Sequence, residues 1–202
     1  MTLYCRTVAT PDGPFTIIAD ADAVLASGWT GDPDFLAARL GRDHWGRFLV
    51  VPTGGNRWGT DPAHDLSHCT DSGPNHDCPA VLDQALTAVA AYYRGDGTPA
   101  QQVPTHQPAA AFHARARRAL RGIPYAHRIT YAELAAAAGN PRAARAAATA
   151  CSHNNTALFI PCHRVVRRDG APGGFLYGPA LKQSLLTREA ESQIRFSVVF
   201  RK

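Results

Sequence analysis

Two short helix signatures set back to back limit what this chain can become more than any other stretch. Thr130-Tyr131-Ala132-Glu133 is a capping box, which starts a helix running to Ala138, and Gly139 supplies its stop. Asn140-Pro141 opens a second helix at once, through about Ser152. Two short helices joined by so tight a turn predict a helix-turn-helix. The second, PRAARAAATAC, is almost all alanine apart from its arginines, so its surface is narrow and its backbone can come close to whatever it meets. Such a helix suits a nucleic-acid groove, and it equally suits close packing inside a globular protein.

The charge distribution bears on that choice. Residues 1–110 carry 6 Arg against 12 Asp, a balance of −6, whereas 111–202 carry 15 Lys and Arg against 4 acids, a balance of +11. Between Arg115 and Arg168 there are 10 arginines and a single acid, Glu133. A basic half joined to an acidic one is the footprint of a polyanion-binding region, with nucleic acid the commonest polyanion.

Upstream, Leu3 to Val8, Phe15 to Ala19 and Val24 to Trp29 read as short strands around the turn Thr10-Pro11-Asp12-Gly13, which predicts a small antiparallel sheet. Asp32-Pro33 starts a short helix ending before Gly41. From Gly54 to Cys78 the composition predicts a long loop; its His64, His68, Cys69, His76 and Cys78 lack the paired spacings of a zinc site, so no metal is expected. Pro79 to Arg94 has apolar residues three and four apart and predicts an amphipathic helix. Gly97 to Pro108 reads as a linker. The expected organisation is therefore an α+β chain: a structural α/β domain over 1–96, a linker over 97–108 and a mostly helical domain over 109–202 that holds the helix-turn-helix. In its first helix, Phe112, Ala116, Ala119 and Leu120 should pack, while Arg115, Arg117, Arg118 and Arg121 should meet solvent or phosphate. The N-terminus lacks the basic start and apolar stretch of a secretory signal, and five cysteines without a disulfide framework suit a reducing compartment, so a cytoplasmic location is expected.

The chemistry should centre on Ile160-Pro161-Cys162-His163-Arg164-Val165. A thiol attacks as thiolate, and cationic neighbours favour that form, which makes Cys162 a candidate nucleophile with His163 and Arg164 beside it. A buried cysteine acting as a small hydrophobe is the plainer alternative.

The stretch Ile123 to Glu189 resembles the O6-alkylguanine-DNA alkyltransferase family. PCHRV stands complete at Pro161 to Val165, with IPYAHRITYAELA from Ile123, GNPRAARA from Gly139, Asn154, Lys182 and Glu189 in order around it. The resemblance implies a single-turnover DNA-repair enzyme that moves an alkyl group from O6-alkylguanine, and from O4-alkylthymine, to Cys162, with no cofactor. Double-stranded DNA bearing the lesion would be the partner and no membrane is involved; the protein would be a monomer, with clustering on DNA left open. By the same resemblance, His163 takes the thiol proton through a water, Glu189 orients that imidazole, Tyr131 donates to the leaving guanine, and Asn154 orders the turn joining the second helix to an active-site strand. Arg145 would enter the base stack in place of the extruded nucleotide, with Arg142, Ala144, Ala148 and Tyr131 facing DNA. Pro161, Val165, Phe175 and Leu176 would form the base pocket.

This chain departs from the family at several points. Leu176 and Tyr177 stand at positions where small residues are usual, Ala148 and Thr149 where glycines are frequent, and Arg117 where an aromatic is usual. Some members hold a structural zinc in the N-terminal part; of that pattern only Cys5 is matched here. Two other functions stay in view: a helix-turn-helix module that binds or flips alkylated bases without repairing them, and an unrelated Cys-His hydrolase, which would turn over repeatedly.

Overall fold

The computed structural model describes residues 2–40, 48–50 and 79–199, with the side chains of 48–50 and 195–199 left aside. The Gly54 to Cys78 loop and its His and Cys residues, and Gly41, lie outside the described residues.

Strands β1 (Leu3–Thr10) and β2 (Gly13–Ala19) form an antiparallel hairpin, and β3 (Val24–Gly28) extends it antiparallel on the β2 side. Strand β4 (Phe48–Val50) joins β1 in parallel, which gives the order β3-β2-β1-β4. Alternation along β2 divides the two faces of the sheet. Phe15, Ile17 and Ala19 enter one apolar cluster, while Ile18 enters another with Leu3, Cys5 and Leu25 beneath the short helix α1 (Pro33–Ala37). Asp32 caps α1 by accepting from the Asp34 amide at 2.9 Å.

Helix α2 (Ala80–Tyr93) lays Leu82, Ala85, Val89 and Tyr92 on the first cluster. Each large aliphatic side chain buried there stabilises the fold by about 1.5–3 kcal/mol. Ala157, Leu158, Phe159 and Leu185 belong to the same cluster, so this core draws on residues from both halves of the sequence.

The stretch expected to be a linker is built into the structure. It contains α3 (Thr98–Gln102), with Ala100 and Val103 buried. Gln101 Nε2 donates to the carbonyls of Arg121 and Ile123 at 2.6 and 2.7 Å, and the backbone of 104–106 pairs with Val24 at 2.9 and 3.0 Å. Few of these contacts are apolar, which is why hydrophobic patterning did not reveal them.

Helix α4 (Ala111–Arg121) buries Ala116 and Leu120 as expected. Its arginines do not all reach outward. Arg117 is buried and donates to the carbonyls of Pro108 (3.2 Å) and His153 (2.7 Å), and Arg115 donates to Ala138 O at 2.8 Å. These carbonyls lie where helices or loops end without internal partners, and guanidinium groups satisfy them.

The capping box forms: Thr130 Oγ1 accepts from Glu133 N (3.2 Å) and Glu133 Oε2 accepts from Thr130 N (2.6 Å), starting α5 (Tyr131–Ala137). Gly139, at φ +83°, makes the turn that an L side chain resists. The next helix begins later than expected. Asn140 Oδ1 accepts from Arg142 N at 3.2 Å and Asn140 O from Ala143 N at 3.0 Å, so residues 140–143 form a turn and α6 runs Ala144–Ser152. Cys162 lies on a 3₁₀ turn (Cys162–Arg164) and not on a strand. Only after it do Val165–Val166 (β6) pair in parallel with Ile129–Thr130 (β5). Helix α7 (Pro179–Val199) is the last of the described elements. Among the described residues no helix is long and apolar enough to cross a membrane.

Candidate active site

Cys162 opens the 3₁₀ turn and belongs to a third apolar cluster, with Leu120, Leu134, Ile160 and Val165, and is 6% exposed. Its sulfur accepts a hydrogen bond from Asn154 Nδ2 at 3.2 Å, and the same amide nitrogen donates to Ile160 O at 2.8 Å. Burial raises the Cys162 thiol above its usual range. The Asn154 hydrogen bond opposes that rise, followed by the charges of Lys182 and Arg39. The cations that favour the thiolate are thus distant in sequence. Arg164, expected to help from the next-but-one position, turns elsewhere.

Arg164 and His163 both converge on Glu189 of α7. His163 Nε2 lies 2.7 Å from Glu189 Oε1, Arg164 Nε donates to Glu189 Oε2 at 2.9 Å, and Arg164 Nη1 donates to Ile123 O at 2.8 Å. Ala126 N adds a bond to Glu189 Oε2 at 3.0 Å. All three residues are at most 1% exposed. Burial works against the Glu189 carboxylate, but His163 and Arg164 outweigh it and bring its pKa down to about 2. Burial also lowers the His163 pKa, against the pull of Glu189. An ionised Glu189 accepts from Nε2–H, which leaves Nδ1 as the basic nitrogen. That Nδ1 is buried and has no hydrogen-bond partner among the described residues.

A cavity of about 620 Å³ opens over the sulfur. Of the residues proposed from sequence, Cys162, Tyr131, Asn154, Ala148, Phe175 and Leu176 line it. Pro161, Val165, His163 and Glu189 are buried and are not among its lining residues. Arg142 and Arg145 are exposed on the turn and on α6, while Ala144 is half-buried. Burial pushes the Tyr131 hydroxyl to about 12, so it remains a protonated donor at neutral pH.

Three more residues pack around the site: Lys182, matched in the resemblance without a role, Arg39, which gave no signal in sequence, and Tyr177, noted only as a departure from the family. Lys182 is buried, donates from Nζ to Val165 O at 2.6 Å and lies 5.9 Å from the Tyr131 ring centroid. Arg39 reaches from the N-terminal half to Ser152 O at 2.9 Å, the end of α6 where a cation complements the helix dipole. Tyr177 lines the cavity, donates to Ser27 O at 3.1 Å and packs on Trp29. Any side chain at Gly28 would overlap the Tyr177 ring, so only glycine lets the two halves approach here.

Comparison with known proteins adds to this geometry. A family model described as 6-O-methylguanine DNA methyltransferase, DNA binding domain, matches residues 111–191. The methylated-DNA–protein-cysteine methyltransferase of Mycolicibacterium paratuberculosis is 36% identical over 111 residues, covering 55% of this chain and 67% of that protein. The chain belongs to the methylated-DNA–protein-cysteine methyltransferase family. The family member from Mus musculus is 35% identical over 137 residues, 64% of this chain and 65% of that one. The Mycobacterium tuberculosis OGT structure in complex with DNA superposes with a TM-score of 0.66 at 25% identity, covering 94% of each chain. The bifunctional transcriptional activator/DNA repair enzyme Ada of Escherichia coli is 48% identical over 85 residues, and there the match spans only 24% of the longer protein. Membership in this methyltransferase family agrees with the α+β architecture, an N-terminal sheet followed by a mostly helical part.

Proposed function

We propose that the protein repairs alkylated DNA by moving the alkyl group of O6-alkylguanine onto Cys162, once per molecule. The observation that carries this reading is the Cys162 sulfur at a cavity wall, hydrogen-bonded to Asn154 and backed by the His163–Glu189 pair. A guanine inside a duplex cannot bring its O6 substituent to a recessed thiol, so the nucleotide must leave the stack and enter the cavity. His163 Nδ1 takes the Cys162 proton through one water, and Glu189 stabilises the resulting imidazolium. The sulfur then attacks the alkyl carbon, and the carbon–O6 bond breaks with its electron pair passing to the purine. Tyr131 Oη protonates the ring nitrogen of that leaving group and regains a proton from solvent. The product is a thioether, which offers water no good leaving group, so the protein is consumed. O4-alkylthymine presents the same carbon–oxygen linkage on a smaller ring and is a second substrate under this scheme.

Intact mass after incubation with a duplex carrying O6-methylguanine tests the proposal. One methyl gained per molecule, on the peptide holding Cys162, is the expected result. Binding without a change in mass would favour a damage sensor, a reading to which the bulk of Leu176 and Tyr177 at the cavity wall lends some weight. Repeated turnover without labelling would favour a hydrolase.

Arg145, exposed on α6, and Arg142, exposed on the turn before it, support duplex binding, with Arg145 replacing the extruded nucleotide. Extrusion costs a few kcal/mol, so Arg145→Ala should slow repair in duplex DNA by roughly tenfold to a hundredfold. Reaction with free O6-benzylguanine, which needs no extrusion, should be nearly unchanged. Equal losses on both substrates would remove that role from Arg145.

A further inference from the structure

An asparagine amide has two ends of nearly equal size, and only one of them helps a thiolate. The nitrogen end donates to the sulfur, whereas the oxygen end would repel it. What sets the orientation of Asn154 is therefore part of what makes Cys162 reactive. Asn154 is buried, and its Oδ1 accepts from Gln107 Nε2 at 3.0 Å and, at a longer 3.3 Å, from Thr156 N. Gln107 is itself oriented from its other end, because Oε1 accepts from Asn155 N at 2.8 Å while Nε2 also donates to Thr156 Oγ1 at 2.5 Å. The backbone around Gln107 is held in turn. Arg117 donates to the carbonyls of Gln107 (3.4 Å) and Pro108 (3.2 Å) with one nitrogen and to His153 O (2.7 Å) with the other.

We propose that Gln107 is a positioning residue for alkyl transfer: it locks the Asn154 amide so that Nδ2 faces the Cys162 sulfur, and Arg117 holds it against the turn that carries Asn154. The proposal rests on the reading of Cys162 as the nucleophile. It gives the segment before α4, outside the cavity, a direct hand in the reaction. A Gln107 side chain without a donor leaves Asn154 Oδ1 with only its longer partners in Thr156, so the bond from Nδ2 to Ile160 O becomes the main restraint on the amide and the donor facing the sulfur is held less firmly.

The test uses the full chain and three measurements on Gln107→Met and Gln107→Glu. Carboxamidomethylation of Cys162 by iodoacetamide across pH, read by peptide mass, reports the thiolate directly. Methyl uptake from an O6-methylguanine duplex reports the reaction, and thermal unfolding reports the fold. Methionine keeps the volume and neutrality of glutamine but cannot donate. The midpoint for Cys162 should rise by about one pH unit and the rate at neutral pH fall about tenfold, the size expected for loss of a hydrogen bond to a charged group. Glutamate keeps the acceptor for Asn155 N, so this variant retains the loop even if methionine loosens it. It removes the donor and should shift the midpoint in the same direction. Its added charge would also raise the thiol, but that part is screened at high salt, whereas a loosened amide is not. The groups facing Cys162 from the packed elements are Tyr131 of α5, Cys151 of α6, Lys182 of α7, Tyr177 and Arg39, and these substitutions leave all of them in place. A folded Gln107→Met protein whose Cys162 midpoint matches the parent overturns the proposal. If methionine does not fold, an unshifted Gln107→Glu midpoint at high salt does the same. A parent protein that takes up no methyl, while its variants still shift the iodoacetamide midpoint, would overturn the proposed function and leave the role of Gln107 in orienting Asn154 standing.

Discussion

Cys162→Ala should abolish alkyl uptake from an O6-methylguanine duplex while leaving DNA binding and the fold in place. The sulfur is the only heavy atom removed, and Cys162 also lines a cavity, so few packing contacts are lost and the cost to stability should be about 1 kcal/mol. Asn154 loses one acceptor but keeps Ile160 O at 2.8 Å, and its Oδ1 keeps Gln107 and Thr156, so no buried amide is stranded. The exposed arginines Arg142 and Arg145 are untouched. Intact mass should therefore show no added methyl, while a fluorescence-anisotropy titration with the same duplex gives an affinity within a few-fold of the parent. Methylation persisting in this variant would move the acceptor to another thiol and remove the basis of the mechanism.

Glu189→Gln should have the largest effect on stability. Glu189 compensates a buried guanidinium and orients a buried imidazole, and removing one member of such a group leaves an uncompensated charge that costs on the order of 3–5 kcal/mol. The same carboxylate imposes a pH dependence. Its pKa falls from 4.5 to about 2 on folding, so its contribution is fully present above about pH 4.5 and is lost as pH falls from there toward 2. His163 acts in the same sense but earlier: folding lowers its pKa from 6.5, so acidification below that value drives proton uptake by the unfolded chain. Urea unfolding at a series of pH values should show stability falling in two stages, one below pH 6.5 and one below pH 4.5. Glu189→Gln should lack the lower stage. An unchanged lower stage would mean that another carboxylate is responsible.

Much of the fold could be read from local pattern. The capping box at Thr130–Glu133, the Gly139 turn and the periodicity of α2 depend on residues a few positions apart, and each appears where those short-range rules place it. The chemistry at Pro161 to Val165 was visible because the nucleophile, its imidazole and an arginine are contiguous. What escaped notice depends on long-range hydrogen bonds. Arg117 looked like a surface arginine because its charge says nothing of the carbonyls of Pro108 and His153 that bury it. Gln107 looked like part of a polar linker, since its partners lie more than forty residues downstream. Arg39 and Lys182 bring their charges to bear on Cys162 from opposite halves of the chain, and no spacing rule links either to it.

The seam along β3 has a mechanical consequence. Ser27 exchanges backbone bonds with Asn155 and Ala157 at 2.8 and 3.2 Å, and its hydroxyl adds a third to Ala157 O at 2.8 Å. Far across the molecule, Asp12 in the β1–β2 turn accepts from Ser184 Oγ at 2.6 Å. The N-terminal sheet is thereby a splint on both the asparagine-bearing turn and the final helix. A breathing motion that lifts β3 releases the reactive loop with it, so the amides of Ser27 and Ala157 should trade their protons with solvent at one common rate.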